Sequence, residues 1–366
     1  MTQAHEIETL EAFDRHVGAG LSLQHCIVQS LDLTGRDEQL ASAEVRSTIF
    51  LGCHFGPGME HLLRQRGALL FPRLPSLPFD PYQPRLYTPE DLFDAVVDGQ
   101  PYDDCLDARI YAWHQAQGVR PALAATLSTS LHDHAIDDAL DEWCHAHPSA
   151  GAIGIMGGHA ASRGSAEFRS AARLAGALTR GGRLVMTGGG PGAMEAGNLG
   201  AYLAQEPEAL EPAVDVLARA GDFHQDLTAW AQATFEVRRR WQPSGESVGI
   251  PTWFYGHEPP NGFATVVAKY FSNAIREDTL LQRCRGGIVY LQGAAGTVQE
   301  IFQAATGNYY CPDGEPTTPM VLVGREHWTQ TLPAWPLLEA LGRDRQMGTR
   351  LHLVDDVEEA AELLLG

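Results

Sequence analysis

The chain has 366 residues, 44% of them hydrophobic and 20% charged, and a formal net charge of −20. That length holds one large α/β domain beside a smaller one. The acidic field works against a nucleic-acid polymer or an anionic membrane as partner, but backbone N–H groups can still hold a small anion inside an acidic protein. The six cysteines are scattered without a C-x-x-C pair, which favours reduced, buried thiols over a disulfide framework. The N-terminus has no signal-peptide pattern and no apolar run reaches membrane-spanning length, so the expected location is cytoplasmic, with no membrane partner.

Residues 1–70 form the first expected region. Leu23, Val28 and Leu33 recur every five residues, with Leu21, Cys26 and Leu31 two positions before each. The pattern resumes as Val45, Phe50 and Phe55, preceded by Ala43, Thr48 and Cys53. This spacing resembles the pentapeptide-repeat β-helix and predicts a short β-helix stub of about six units, too few to stand without a packed neighbour. Ordinary short strands are the alternative.

Residues 71–148 form a proline-rich connector and helices. The prolines of FPRLPSLPFDPYQPRLYTPEDLF block regular helix and central strand, which implies an extended surface path. Thr88 with Pro89 then reads as a helix start, and residues 107–147 read as helix, loop and helix.

From 149 to 366 short apolar strands alternate with helices: AIGIMGG, then SAEFRSAARLAGALTRGG stopped by Gly181, then RLVMTGGGPGAMEAGN, and later SVGIPTWF, RGGIVYL and TPMVLVG. This alternation predicts a Rossmann-like, doubly wound parallel α/β sheet. Ligands in such sheets collect at the carboxyl ends of the strands.

Two strand–loop–helix junctions carry the chemistry. In MTGGGPGAMEAGN, Gly188, Gly189, Gly190 and Gly192 let the backbone approach a ligand, and the following helix offers unpaired N–H donors. The loop fits neither the G-x-G-x-x-G nor the Walker A pattern. Glu195 falls in the first helical turn, where the dipole favours a carboxylate regardless of any ligand. In LQGAAGTVQE, Gly293, Gly296 and Thr297 form the loop, and Glu300 follows. Thr297 and Glu300 also fit the capping box, in which Glu300 would do no more than reach back to the helix start. Gly157 and Gly158 close the AIGIMGG strand and join the same set.

Together the loops resemble the LOG-like family, whose older label is lysine decarboxylase-like. The family's first motif, GGGPGxMEAxN, is matched by Gly188, Gly189, Gly190, Pro191, Gly192, Met194, Glu195, Ala196 and Asn198. Its second, PGGxGTxxE, is matched by Gly293, Gly296, Thr297 and Glu300, with Gln292 and Ala294 in place of Pro and Gly. Between them GIPTWFYGHEPPN aligns Pro251, Glu258, Pro260 and Asn261. The resemblance spans about residues 150–325 and implies a Rossmann-like nucleotide-binding protein that hydrolyses nucleoside 5′-monophosphates to base and ribose 5-phosphate. The implied partner is an AMP-like nucleoside monophosphate, with no further cofactor and no metal. A homodimer or larger homo-oligomer is also implied.

The resemblance further implies an arginine working with Glu300 from the preceding helix. Arg276 is the chemical candidate. Counting back from the loop reaches Glu277 instead, and a register shift would bring Arg283 or Arg285. A carboxylate near the anomeric carbon would stabilise oxocarbenium charge and orient water. Arg276 would hold ribose hydroxyls or phosphate through its planar fork. Met156, His159 and Phe254 are candidates for the base side. Ala294 matters only if its φ must be positive. The alternative reading is a non-catalytic nucleotide sensor of the same fold. Decarboxylase chemistry fails for want of a pyridoxal-phosphate lysine setting around Lys269. His132-Asp-His134 and Cys144-His-Ala-His147 contain metal-ligand types, but the H-x-H pairs, His132 with His134 and His145 with His147, split across helix faces. Arg238, Arg239 and Arg240 form the basic cluster of the chain, read as a solvated helix end or an anion site.

Overall fold

Parallel strands need a crossover of a dozen or more residues between them, usually a helix, and the chain supplies a helix after almost every strand. The structure, a computed structural model, describes residues 5–74, 76–255, 258–312 and 314–366. The chain divides into two compact units, Met1–Arg85 with Pro121–Ala139, and Leu86–Arg120 with Leu140–Gly366.

In the first unit, strands β1 (Glu6–Ile7), β2 (Ile27–Gln29), β3 (Ile49–Leu51) and β4 (Leu69–Phe71) pair in chain order, all parallel. Helices Leu10–Gly18, Asp37–Ser42 and Met59–Gln65 lie between them in sequence. The expected pentapeptide-repeat stub is therefore corrected. The repeat is a strand plus a helix, and Ile27 pairs with Ile49 and Ile49 with Leu69, steps of 22 and 20 residues. Left-handed backbone recurs at the same steps, at His25, Ser47 and Gly67. Leu23, Cys26, Val28, Leu31 and Leu33, then Val45, Thr48, Phe50, Cys53 and Phe55, follow the leucine-rich-repeat spacing L-x-x-L-x-L-x-x-N/C-x-L. All but Phe55 are buried, and Phe55 packs against their cluster. The five-residue rhythm is real, but it is the spacing of inward positions inside one long repeat.

Two polar side chains of this unit, buried Thr48 and half-buried Arg66, are well partnered, as burial demands. Thr48 Oγ1 donates to Leu23 O at 2.7 Å. Arg66 donates to the carbonyls of Leu40 (3.0 Å), Ala41 (2.7 Å) and Ala43 (2.5 Å), closing the open C-terminus of the Asp37–Ser42 helix. Burial pushes the Cys53 thiol up to about 11, which keeps it an inert, protonated core group.

The second unit is the expected Rossmann-like sheet. Its strands are β5 (Ala152–Met156), β6 (Leu184–Thr187), β7 (Ser247–Gly249), β8 (Val266–Val267), β9 (Gly287–Tyr290), β10 (Met320–Val323) and β11 (Leu351–Val354). They lie in the order β11-β10-β9-β5-β6-β7-β8, and all pairs are parallel. The chain runs outward from β5 to β8, returns to β9 on the other side of β5, and runs outward again. The direction of winding thus reverses between β5 and β9, which is where open α/β sheets hold their ligands.

Local sequence explains the elements. Strands β5, β6, β9 and β10 are buried almost throughout, so they read as continuous apolar runs rather than as alternation. The Ala166–Arg180 helix starts at Ser165, whose side chain accepts from Phe168 N, and stops at Gly181. Its Phe168, Ala171, Ala172, Ala175 and Leu178 make the buried stripe. Thr88 and Asp91 cap each other reciprocally, with Pro89 at the first helical position. Helices Leu106–Ala116 and Leu123–Ala146 fill the region read as helix, loop and helix. Strands β8 and β11 have no clear sequence signal, being two residues and a half-buried edge.

Lys269 is fully buried, 2.6 Å from Asp107 and 5.0 Å above the Trp253 ring. Trp253 Nε1 also donates to Asp107, at 2.8 Å. Burial lowers the Lys269 ammonium below its ordinary value while Asp107 opposes that shift. The pair ties residues 86–120 to the sheet of the same unit. Among the described residues no helix is long and apolar enough to cross a membrane.

Candidate active site

Four loops leave the carboxyl ends of β9, β5, β6 and β7, which are neighbours in the sheet, and hydrogen bonds join them. Gly158, just past β5, donates its N–H to Gln292 O of the β9 loop (3.1 Å), and its carbonyl accepts from Ala193 N of the β6 loop (3.2 Å). Asn261, from the β7 side, donates its backbone N–H to Gly189 O (2.7 Å) and its side chain to Gly190 O (3.2 Å). Asn198 receives from Thr187 Oγ1 and from Asn261, and donates to Ser247.

The glycines are needed where this lacing is tightest. Gly189 and Gly192 have φ of 72° and 73°, a region that side chains avoid. A Cβ on Gly192 would fall 2.7 Å from Gly158 O and from His159 Cα. A Cβ on Gly157 would meet Ala193 at 2.9 Å, and one on Gly190 would approach Glu258 at 3.6 Å. Gly188 lies beside Arg276: its Cβ would be 3.9 Å from Nη1.

The Ala295–Tyr309 helix begins three residues earlier than a Thr297 cap requires. The first i→i−4 bond is Val298 N to Ala294 O, at 3.0 Å, so the amides of Ala295, Gly296 and Thr297 precede the intrahelical ladder. Thr297 Oγ1 instead covers Gly293, where a Cβ would meet it at 2.1 Å, while the corresponding space at Gly296 is open. Ala294 has φ −121°, so alanine is adopted there without strain. Gln292 retains the carbonyl that Gly158 uses.

Glu300, no longer a capping group, turns toward the Asn273–Arg283 helix. Its Oε1 is 3.7 Å from Arg276 Nη1, which is 2.9 Å from Glu277 Oε1. All three side chains are buried. Burial pushes Glu300 up to about 8, the neighbouring Glu277 charge adds to the rise, and Arg276 opposes it. Glu277 is raised as well, by burial first, against Arg276. Arg276 Nε and Nη1, Glu277 Oε2 and Tyr290 OH are buried without a well-directed hydrogen bond among the described residues. Unsatisfied polar atoms of this kind, with displaced ionisation, make the cluster a candidate functional site. The alternative arginines lie elsewhere: Arg283 pairs with Asp141, and Arg285 is exposed.

Glu195 stands apart. It is fully buried, and Arg163 grips both its oxygens, with Nε at 3.1 and 3.0 Å. Arg163 also donates to Trp230 O (2.8 Å) and Thr234 Oγ1 (2.7 Å) and lies 4.0 Å above the Trp230 ring. Such a carboxylate holds its helix in place. On the rim, His159 Nδ1 is 3.4 Å from Glu258, and Phe254 is exposed, whereas Met156 is buried in β5.

Sequence reasoning misses Arg163 and Tyr290, and reaches Glu277 only as the position found by counting back from the loop. It also misses His327, whose ring Nε2 is 3.1 Å from Gly293 O. Tyr290 closes an apolar strand, and nothing in the sequence separates its hydroxyl from a core ring. Of the other candidates, His132 is buried edge-on to Phe79, and Arg238 and Arg240 pair with Glu90 and Glu236.

Strand order, switch point and glycine loops define a Rossmann-like α/β unit, a fold that places its ligands in the crevice outside the carboxyl ends of its strands, at the switch point. No family model matches the chain, and no curated protein does. Among solved structures it is similar to the molybdenum cofactor binding protein from the phototrophic bacterium Rippkaea orientalis, at 15% identity and a TM-score of 0.38 over 58% of this chain and 94% of that one. It is likewise similar to the molybdenum cofactor carrier protein from Chlamydomonas reinhardtii, at 16% identity and a TM-score of 0.36 over 58% and 95%.

Proposed function

We propose that the crevice binds a nucleoside 5′-monophosphate and hydrolyses its N-glycosidic bond to free base and ribose 5-phosphate, as the LOG-like resemblance implies. The carrying observation is the Arg276–Glu300 pair, buried and incompletely hydrogen-bonded beside the Gly188–Gly192 loop. The helix start at Ala295, Gly296 and Thr297 supplies backbone donors for the 5′-phosphate. Gly188, Gly189, Gly190 and Gly192, with Gly157 and Gly158, form the backbone wall for the sugar, and Gly293 the floor of the phosphate end. Arg276 directs its unsatisfied N–H groups at ribose hydroxyls or phosphate. Glu195 acts on the site only by fixing the helix behind it.

Glu300 holds its proton at neutral pH, which suits the leaving-group side of the reaction. As the glycosidic bond breaks, the base departs with the bonding electron pair and takes that proton. The carboxylate left behind faces the oxocarbenium charge on C1′ and orients a water, which adds to C1′ and returns a proton to Glu300. We place the protein in the cytoplasm, as a homodimer or larger homo-oligomer.

The test is release of free base from a panel of nucleoside monophosphates, followed by chromatography, for wild type and Glu300→Gln. The variant is expected to lose roughly 10²–10⁴ in rate, the usual share of a general acid. Wild-type rates in the variant would sink the assignment. Tight binding by the wild type without any base release would instead favour the nucleotide sensor.

A further inference from the structure

Two carboxylates and one guanidinium are buried together at the crevice, and fully ionised they would leave one uncompensated negative charge away from water. Burying such a charge costs far more than holding one proton. The two carboxylates are not equivalent. Glu277 Oε1 is 2.9 Å from Arg276 Nη1 while Glu300 Oε1 is 3.7 Å from the same atom. Glu277 is the nearer counter-ion, and the proton therefore belongs on Glu300. The other titratable groups that feel Glu300 are Tyr290 on β9 and Cys284 at the end of the helix; Asp278 bears on Glu277. All three are acids, so none supplies the missing positive charge.

We infer that Glu277 is a positioning residue that holds Arg276 and keeps a single proton on Glu300, so that the three side chains titrate as one unit. Carboxylates this close to a shared cation ionise in macroscopic steps that belong to the set rather than to either residue. Two features support the inference independently of any titration. Glu277 Oε2 is buried with no hydrogen-bond partner among the described residues, so the 2.9 Å contact of Oε1 with Arg276 is the carboxyl group's compensation for burial. Tyr290 OH, equally unpartnered, adds a polar group to the same strand end. Resting on the hydrolase reading, the consequence is that Glu277 sets the alkaline limit of turnover, because the acid form of Glu300 is the working form.

Carboxyl-carbon NMR of protein carrying isotopic glutamate, followed across the pH range, tests this without substrate. The wild type is expected to show one glutamate signal titrating near pH 8, and that signal is absent from Glu300→Gln. In Glu277→Gln the midpoint of the same signal is expected to fall by about one pH unit or more, the size of interaction that couples two sites. A wild-type spectrum in which every glutamate has ionised by about pH 6 overturns the inference without any variant, since ordinary carboxyl groups titrate near 4. An unchanged midpoint in folded Glu277→Gln overturns it too. If nucleotides are hydrolysed, the alkaline limb of the kcat profile moves down with that midpoint. If no base is released, the hydrolase reading fails, and the NMR titration still decides the proton sharing.

Discussion

Among the described residues of the second unit, two arginines are buried against glutamates, and the two sites are built in opposite ways. Arg163 makes two-point contact with Glu195, stacks on Trp230 and uses its remaining N–H groups on Trp230 O and Thr234. Arg276 stands 3.7 Å from Glu300, shares its charge with a second carboxylate and leaves Nε and Nη1 without a well-directed hydrogen bond. The same two residue types thus give a closed pair and an open one. Satisfied groups hold structure; an unsatisfied buried cluster calls for an explanation, and the proposed function supplies one here.

Breaking the closed pair should be the larger injury to the fold. Arg163→Met leaves Glu195 buried without its partner, and removal of one member of a buried pair typically costs 3–5 kcal/mol, so about that loss is expected in chemical denaturation. Glu300→Gln should behave otherwise. The folded state holds a Glu300 proton up to about pH 8, whereas the unfolded chain releases it near the ordinary value of 4.5. Between those limits the native state binds the extra proton, so the stability of the wild type falls as pH rises, by of order 1 kcal/mol per pH unit. In Glu300→Gln this part of the pH dependence should vanish, and thermal melts at mild alkalinity should show the variant no less stable than the wild type. A variant that melts far below wild type there would mean that the open pair is a structural one after all. The rim pair completes the series. His159 is 3.4 Å from Glu258 and largely exposed, so His159→Ala should change stability by less than about 0.5 kcal/mol. Nucleotide affinity, measured by calorimetry, is the readout that would show a part for it in binding.

The open pair is only half legible in the sequence. Glu300 and its loop stand out because glycines between a strand and a helix have a physical use. The helix start misleads because Thr297 and Glu300 satisfy the capping-box pattern, yet the helix begins at Ala295 and turns Glu300 inward. Arg276 is legible as chemistry and ambiguous as register. Glu277 is visible only as a counting discrepancy. The doubly wound sheet is legible because its strands are buried on both faces, whereas β8 and β11, short or half-buried, give no signal. In the N-terminal unit the five-residue rhythm conceals the longer period. The step from Leu33 to Val45 is not a multiple of five, and that interruption is where the Asp37–Ser42 helix enters. Comparing Leu23, Val28 and Leu33 with Val45, Phe50 and Phe55 at a step of 22 aligns them without any break.

The backbone of Gly158 has a mechanical consequence. Its N–H holds the β9 loop and its carbonyl holds the β6 loop, so neither loop can swing away without breaking a bond to the strand between them. The β9 and β6 loops, the phosphate and sugar ends under the proposed reading, are therefore coupled like two leaves on one hinge pin. On the proposed reading, a ligand seated at Gly296 and Thr297 is expected to stiffen the glycines around Gly189. Slower amide exchange at Ala193 when inorganic phosphate is bound would be the signature of that linkage.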